Sequence, residues 1–394
     1  MASPAPEYPH LDFAWDEIPD LHAVLADLRQ RLAVAPVRFH EHTAFLITRY
    51  PDLLEALSDD EIFPSAAAYL RHSGPVMGKT IQCMAGQEHR RNRALVSSAF
   101  RPKLMRSFVE SFLTPVAHKL VDEISARGEA DLVRDYTTRY AFTVIARLLD
   151  LPPTDFADLK RWGDGLLEFP WNPEVALAAS REFTDYLKPV IDARRRAPGE
   201  DLLSSLATAE VDGERLTDEE IFSFARLLFP AGADTTYRGL GSMLFAVLTH
   251  REVFEGVRAE PARIPEVVQE SLRWEGPTAL LPRFAPQDVV WAGVPIPAGS
   301  EVIFGITSGN RDARAFPEPD RFDPERKPTN ILSFGHGLHF CLGSHLARRE
   351  MEVSLQVISE RLPDLELVDP ARVTIAGTVL RGPKSLPVRF KAGT

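Results

Sequence analysis

The stretch FGHGLHFCLGSHLARRE at residues 334–350 constrains the fold most strongly. Gly335, Gly337 and Gly343 surround one cysteine, Cys341, and an apolar helical periodicity follows directly. Glycines let a backbone approach a bulky neighbour without Cβ clashes, and a helix start presents free N–H groups that favour an anion. The stretch is therefore compatible with a thiolate held at a helix start beside something large and flat.

Three interpretations of Cys341 remain open when only these residues are considered. The simplest is a buried structural cysteine at a glycine-rich turn. The second is a zinc site of Cys341 with His336, His339 and His345, although structural zinc sites usually supply at least two closely spaced cysteines. The third is an axial thiolate on haem iron, which needs one cysteine, a glycine-rich loop and a helix N-terminus.

The overall composition excludes several classes of protein. A formal net charge of −11 disfavours nucleic-acid binding, and two cysteines in 394 residues exclude a disulfide scaffold and favour a reducing compartment. The N-terminus lacks the basic and apolar regions of a signal peptide, and no run of 18 apolar residues occurs. We therefore expect a cytoplasmic protein without a membrane or nucleic-acid partner.

Hydrophobic periodicity predicts a mainly α fold with small β-sheets. Helical patterns fill 87–276 and 341–362 and also occur at 21–33 and 51–59, whereas strand-like patterns gather near 37–50, 282–305 and 371–390. Residues 64–86 are weakly periodic and predict a long loop. Because no boundary is sharp, residues 1–394 are predicted to form a single domain.

The cysteine stretch resembles the haem-binding signature of the cytochrome P450 family. The matching positions are Phe334, Gly335, Gly337, His339, Cys341 and Gly343, six defined residues in ten. The resemblance implies the cytochrome P450 fold, a helical domain plus a smaller β-rich region around a buried haem b. It also implies that Cys341 is the axial iron ligand and that Phe334, Gly335 and Gly343 lie against the macrocycle.

A second motif, Ala231-Gly232-Ala233-Asp234-Thr235-Thr236, lies within the long helical stretch 221–250. Its flanks are apolar, and buried polar groups need partners or a purpose; alternatively, Thr235 bonds back to a carbonyl one turn earlier. The motif is similar to that of the central P450 helix, which implies that Ala231 lies beside the haem. Asp234 and Thr235 would then relay protons during oxygen activation. Pro230 predicts a kink near 226–230.

Four basic residues are candidates for binding the haem propionates. His89 and Arg93 stand at i and i+4 and share one helix face, which without the resemblance predicts only a solvated basic face. The family's H-x-x-x-R pattern implies that both bind propionates, as do Arg283 and His339. Arginine suits planar carboxylates because its donors form a fork.

Two further segments resemble the structural motifs of the family. Glu270 and Arg273 match its E-x-x-R helix, and Pro319-Asp320-Arg321-Phe322 is similar to its P-E-R-F segment. By resemblance, Glu270, Arg273 and Arg321 form a triad that supports the region 306–333 behind the cysteine loop. We assign this triad to folding rather than to chemistry.

The resemblance implies a monooxygenase that uses O2 to hydroxylate, epoxidise or dealkylate a hydrophobic small molecule. Residues 64–86, the central helix, 278–281 and 379–380 are expected to line the substrate site. Without a fused reductase, a monomeric enzyme of this kind takes its electrons from a ferredoxin system. The predicted docking patch consists of Arg90, Arg91, Arg101, Lys103, Arg348 and Arg349. A peroxide-driven peroxygenase and a non-catalytic haem-thiolate sensor are the alternatives, and the Asp234–Thr235 pair argues against both.

Overall fold

The computed structural model describes residues 4–18, 20–97, 108–152, 154–199, 201–211 and 213–393. Its helices, numbered in chain order, are α1 (Leu21–Arg31), α2 (Tyr50–Ser58), α3 (Ser65–His72), α4 (Gly74–Met77), α5 (Gly86–Ser97), α6 (Thr114–Ser125), α7 (Thr138–Leu148), α8 (Phe156–Leu167), α9 (Pro173–Arg196), α10 (Leu202–Thr208), α11 (Asp218–Thr249), α12 (Arg251–Ala259), α13 (Ile264–Trp274), α14 (Ile306–Asn310) and α15 (Ser344–Arg361). This mainly α architecture confirms the predicted fold class.

The strands are short and form several small sheets. They are β1 (Val34–Phe39), β2 (His42–Ile47), β3 (Glu129–Asp131), β4 (Glu210–Val211), β5 (Glu214–Arg215), β6 (Leu280–Phe284), β7 (Val289–Trp291), β8 (Val294–Ile296), β9 (Glu301–Gly305), β10 (Glu366–Leu367), β11 (Ile375–Ala376), β12 (Gly382–Pro383) and β13 (Pro387–Arg389). The largest sheet has the order β1-β2-β9-β6, in which only β2 and β9 are parallel. It joins the predicted strand regions near 37–50 and 282–305.

Helix α11 is central to the packing and carries the second motif. A capping box of Thr217 and Glu220 begins it, since each side chain bonds to the other residue's backbone N–H. Most of its residues are buried, many of them in the largest apolar cluster, together with residues of α7, α9, α13 and α15. The helix continues through Pro230, so the proline does not end it.

Two predictions about local structure are wrong. Residues 64–86 are not one loop, because they contain α3, α4 and a 3-10 turn at Ile81–Cys83. In α3 only the small residues Ser65 and Ala68 are buried, so the segment has almost no apolar periodicity. The last helix begins at Ser344 rather than at Cys341. The assignment of 1–394 to one domain stays a prediction.

Candidate functional site

The cysteine loop is built from two 3-10 turns, Leu332–Phe334 and Gly337–His339. Gly335 and Gly337 adopt φ values of 70° and 68°, which favour glycine. A Cβ on Gly337 would lie 2.9 Å from the Leu57 carbonyl oxygen, so only glycine lets the loop lie against the end of α2. The Cys341 N–H donates to the Phe334 carbonyl at 2.9 Å and closes the loop.

Cys341 lies three residues before α15, among groups that favour a thiolate. Its surface is accessible, yet protein atoms surround it on most sides, and this burial raises the pKa of the thiol. The N–H groups of Gly343 and Ser344 and the charges of Arg93 and Arg348 act in the opposite direction and lower it. The sequence predicted that a helix start would favour the thiolate. In the structure this effect comes from two backbone amides, because the helix itself begins three residues after the cysteine.

Arg93 and Arg348 attach neighbouring helices to this loop. The Nη2 of Arg93, on α5, donates to the Phe340 carbonyl at 2.6 Å. The guanidinium of Arg348 lies 4.3 Å from the centre of the Phe334 ring. Phe334, a residue of the loop that is partly buried against the main core, thus packs against α15.

A buried imidazole without a hydrogen-bond partner lies beside the loop. His89 is fully buried, and neither ring nitrogen has a partner among the described residues. Its ring centre lies 4.5 Å from that of His339. Burial, followed by the charges of His339 and Arg93, lowers the pKa of His89 to about 4, so the ring is neutral at pH 7. An unpaired buried polar group costs about 1–3 kcal/mol, and these two nitrogens could hold a polar ligand.

His339 and Arg283 line one small cavity together with Asp60, next to the cysteine loop. The Nε2 of His339 is 3.0 Å from Asp60 Oδ1, although too far off-axis for a hydrogen bond. Arg283 is 5% exposed and packs against the rings of Tyr69 and Phe304. The four predicted propionate ligands, His89, Arg93, Arg283 and His339, thus all lie near the cysteine loop. Asp60 was missed, because an isolated aspartate in a turn gives no sequence signal.

The acid of the second motif is held by an arginine one turn further along α11. Asp234 is 3% exposed, and its Oδ2 accepts from Arg238 Nε at 2.7 Å. The Thr235 hydroxyl donates to the Ala231 carbonyl at 2.6 Å, which is the local bond weighed as the alternative. Ala231 is exposed although Pro230 and Ala233 beside it are buried. Arg238 was missed, although its i+4 spacing from Asp234 could have revealed it.

The structural triad forms with a different third member. Arg273 donates from Nε and Nη2 to both Glu270 oxygens at 2.7 Å, and both side chains are fully buried. Arg326 supplies the third charge, with its Nε 3.4 Å from Glu270 Oε1. The prediction of Arg321 is wrong, because its side chain is 63% exposed beside Glu318. Arg321 takes part through its carbonyl, which accepts from Arg273.

The zinc interpretation of the cysteine loop fails. No group of three or more His, Cys, Asp or Glu side chains that could hold a metal ion occurs in the described part of the chain. With no such group in that part of the chain, Cys341 fits the single protein ligand that a haem requires. The residues present fit a haem: one thiol among amides and guanidinium groups, unpartnered His89 nitrogens, and a Gly343 whose added Cβ would meet no protein atom within 4 Å.

Comparison with known proteins gives the family. The family model described as Cytochrome P450 matches residues 171–362. Mycinamicin IV hydroxylase/epoxidase of Micromonospora griseorubida is 35% identical over 357 residues, which cover 88% of this chain and 89% of that protein. The chain belongs to the cytochrome P450 family. The 6-deoxyerythronolide B hydroxylase of Saccharopolyspora erythraea is 34% identical to this P450 over 94% of the chain and 96% of that protein.

Solved structures agree with this family membership. A cytochrome P450 from Chondromyces apiculatus superposes with a TM-score of 0.88 at 34% identity, covering 95% of this P450 and 96% of that chain. The polyketide synthase P450 PksS of Bacillus subtilis gives a TM-score of 0.89 at 32% identity, over 94% and 97%. The protein is therefore a haem-dependent monooxygenase. In the described ranges, no helix is both long and apolar enough to cross a membrane.

Proposed function

We propose that this P450 binds haem b through Cys341 and oxidises a hydrophobic small molecule with O2 and electrons from a ferredoxin. The observation that carries the proposal is the fully buried His89 beside the cysteine loop, whose two ring nitrogens have no hydrogen-bond partner in the described part of the chain. A neutral imidazole can donate from one nitrogen to a carboxylate, which is the chemistry of a haem propionate. When bound, the haem supplies the redox chemistry that splits O2 and transfers one oxygen atom to the substrate.

In this proposal the other site residues hold and orient the macrocycle. Arg93, Arg283 and His339 bind the propionates as charged or hydrogen-bonding donors. Phe334, Gly335, Gly343 and Ala231 border the ring, and the Gly343 and Ser344 amides favour negative charge on the Cys341 sulfur, against the effect of burial on its pKa. Asp60 lies within ion-pair distance of His339 and keeps that ring oriented.

Asp234 and Thr235 are proposed to deliver protons from α11. Arg238 holds the Asp234 carboxylate through Oδ2 and leaves Oδ1 to accept and release a proton. The Thr235 hydroxyl donates to Ala231, so its lone pairs are available to accept a hydrogen bond from the reacting group. A carboxylate and a hydroxyl on adjacent residues of one helix form a short relay. This relay favours O2-dependent turnover over peroxide use or ligand sensing.

The substrate is proposed to be a hydrophobic molecule bound between α11 and the segments 64–86, 278–281 and 379–380. Val76 and Met77 are buried apolar residues of α4, and Thr278 and Leu380 pair across an isolated β-bridge. Relatives are named as a mycinamicin IV hydroxylase/epoxidase, a 6-deoxyerythronolide B hydroxylase and a steroid C26-monooxygenase. These names make macrocyclic and polycyclic substrates the first compounds to assay.

Electrons are proposed to arrive at the face of the cysteine loop in a monomeric, cytoplasmic enzyme. Of the predicted patch, Arg101 and Lys103 lie outside the described residues. Arg91 pairs with Glu214 at 2.9 Å and Arg349 pairs with Glu352, whereas Arg90 is exposed. Arg90→Glu should therefore slow reduction by a ferredoxin at low salt more than Arg349→Glu does. Stopped-flow reduction rates that do not change with Arg90→Glu or with salt would exclude this surface.

One experiment separates the proposed function from its alternatives. The reduced protein is treated with carbon monoxide, and the Soret band typical of thiolate ligation is expected; Cys341→His should abolish it. Product formation from a macrolide or steroid panel is then compared with NADH plus a ferredoxin system and with hydrogen peroxide alone. We expect product with NADH. Product only with peroxide would show a peroxygenase, and spectral binding without product under either condition would indicate a sensor.

A further inference from the structure

Two buried side chains from different helices donate to one carbonyl of α4. Ser180 Oγ, on α9, donates to the Val76 carbonyl at 2.6 Å, and Arg226 Nη1, on α11, donates to the same oxygen at 3.3 Å. Both donor residues are 7% exposed, while Val76 is fully buried and Met77 is 3% exposed. The carbonyl therefore connects α4, α9 and α11 away from water, where hydrogen bonds are strong.

The burial of Arg226 is unusual enough to need an explanation. Its Nη2 donates to Glu219 Oε1 at 2.6 Å and its Nε to the Phe222 carbonyl at 3.3 Å. The Glu219 side chain is 67% exposed, so this ion pair alone would also form with an exposed arginine. Burying a guanidinium is costly unless its donors are satisfied. The contact that requires burial is the bond to Val76, which extends from α11 to a different segment of the chain.

Gly78 fixes the end of the same segment against α11. It has a φ of 78°, and a Cβ at this position would lie 2.2 Å from Ser223 Oγ. The backbone therefore passes directly over Ser223, one turn before Arg226 on the helix. Residues 74–78 thus contact α11 at two points, through the Val76 hydrogen bond and the close approach of Gly78, and contact α9 at one.

We propose that Arg226, together with Ser180, is the positioning residue that fixes residues 74–78 as a wall of the substrate site. The inference rests on the proposed function, in which substrate binds beside α11 near Ala231. Ala231 follows Arg226 on the same helix by about one and a half turns, and in this proposal a displacement of α4 changes the space that a ligand has beside α11. Arg226 then determines which sizes of ligand the site accepts.

The test uses the holoenzyme and two nitrogen ligands of haem iron, imidazole and 4-phenylimidazole. Arg226→Met keeps the aliphatic stem and removes the donors, Ser180→Ala removes one hydroxyl, and Arg181→Met is the matched control on the exposed side of α9. Optical titration should show the Kd of 4-phenylimidazole rising at least fivefold in Arg226→Met, with imidazole changed less than twofold. Ser180→Ala should act in the same direction more weakly, and Arg181→Met should change neither Kd.

Backbone amide hydrogen exchange, measured on the same holoenzymes, shows which segments have lost local stability. Amides of residues 74–80 should exchange at least tenfold faster in Arg226→Met and measurably faster in Ser180→Ala, while those of β1 and β2 stay unchanged. Wild-type exchange at 74–80 in both variants would overturn the proposal. So would faster exchange throughout the chain, or equal Kd changes for the two ligands, since either indicates general destabilisation. Exchange does not depend on turnover, so this outcome is separate from the carbon monoxide test of function.

Discussion

His89 shows how a single residue can reveal a ligand. Its spacing of four from Arg93 predicts a shared helix face, but the same spacing also fits an ordinary solvated surface. The structure separates the two, because His89 is fully buried with both ring nitrogens unpaired among the described residues. Sequence patterns within one helix could therefore predict the candidate. They could not predict Asp60 beside His339, because that contact joins distant parts of the chain.

At the same scale, Asp234→Asn should separate proton delivery from substrate binding. The substitution preserves shape and removes the ionisable group, so product formation with NADH and ferredoxin should fall about 100-fold, within the usual range for general acid–base catalysis. The carbon monoxide spectrum should be the same as that of the wild type, and the ligand Kd values should stay within twofold of the wild-type values. Single-turnover product formation is the measurement.

A second acidic residue provides a control that tests whether removing any nearby negative charge slows turnover as much. Asp164 on α8 is partly exposed and pairs with Lys160, and Asp164→Asn should leave turnover within twofold. Equal losses in the two variants would mean that the effect is a general change in electrostatic potential. Unchanged turnover in Asp234→Asn would remove Asp234 from the relay.

Among the elements, long helices were predictable, whereas the short helices α3 and α4 within 64–86 were not. Helix α11 has a capping box and an apolar run of many turns, and these signals identify a buried helix from the sequence alone. Helix α4 has four residues, Gly74–Met77, and packs through Val76 and Met77 onto other helices. A single turn has no periodicity to detect, so tertiary contacts determine its structure.

The buried ion-pair cluster of Glu270, Arg273 and Arg326 gives a prediction about stability. Arg326→Met should destabilise the protein by about 2–4 kcal/mol, because it removes a charge from the fully buried Glu270. Arg321→Met is the control, since that side chain is largely exposed, and it should change the free energy of unfolding by less than about 0.5 kcal/mol. Urea unfolding of both variants measures the difference. A larger loss for Arg321→Met would restore Arg321 as the third member of the triad.

Over the whole molecule, distant parts of the chain meet in ways that local patterns do not specify. Strand β2 pairs in parallel with β9, and their pairing joins the N-terminal hairpin to residues 301–305. The buried Glu275, just after α13, is a second junction. His22 Nε2 of α1 lies 2.7 Å from Glu275 Oε2, and Arg381 Nε donates to Oε1 at 2.7 Å. The sequence could predict the elements that carry these residues but not their partners.

Glu275 makes the stability of the whole fold depend on pH. Burial alone would raise the pKa of its carboxyl, but His22, Arg381 and Arg311 outweigh burial and lower it to about 2. Burial also lowers the pKa of His22, so at neutral pH the two arginines supply the positive charge. A carboxyl whose folded pKa lies below its unfolded value of 4.5 stabilises the fold fully above pH 4.5. That stability is lost as the pH falls from 4.5 towards 2.

Glu275→Gln should therefore cost stability at neutral pH and remove part of the acid sensitivity. At pH 7 we expect a loss of about 3–5 kcal/mol, because Arg381 and Arg311 remain buried without their carboxylate. Between pH 7 and pH 3 the wild type should lose roughly 2 kcal/mol more than the variant, so the two unfolding free energies should converge. Urea unfolding at pH 7, 5, 4 and 3 measures both. A constant difference across this range would show that Glu275 is not the group whose protonation weakens the junction.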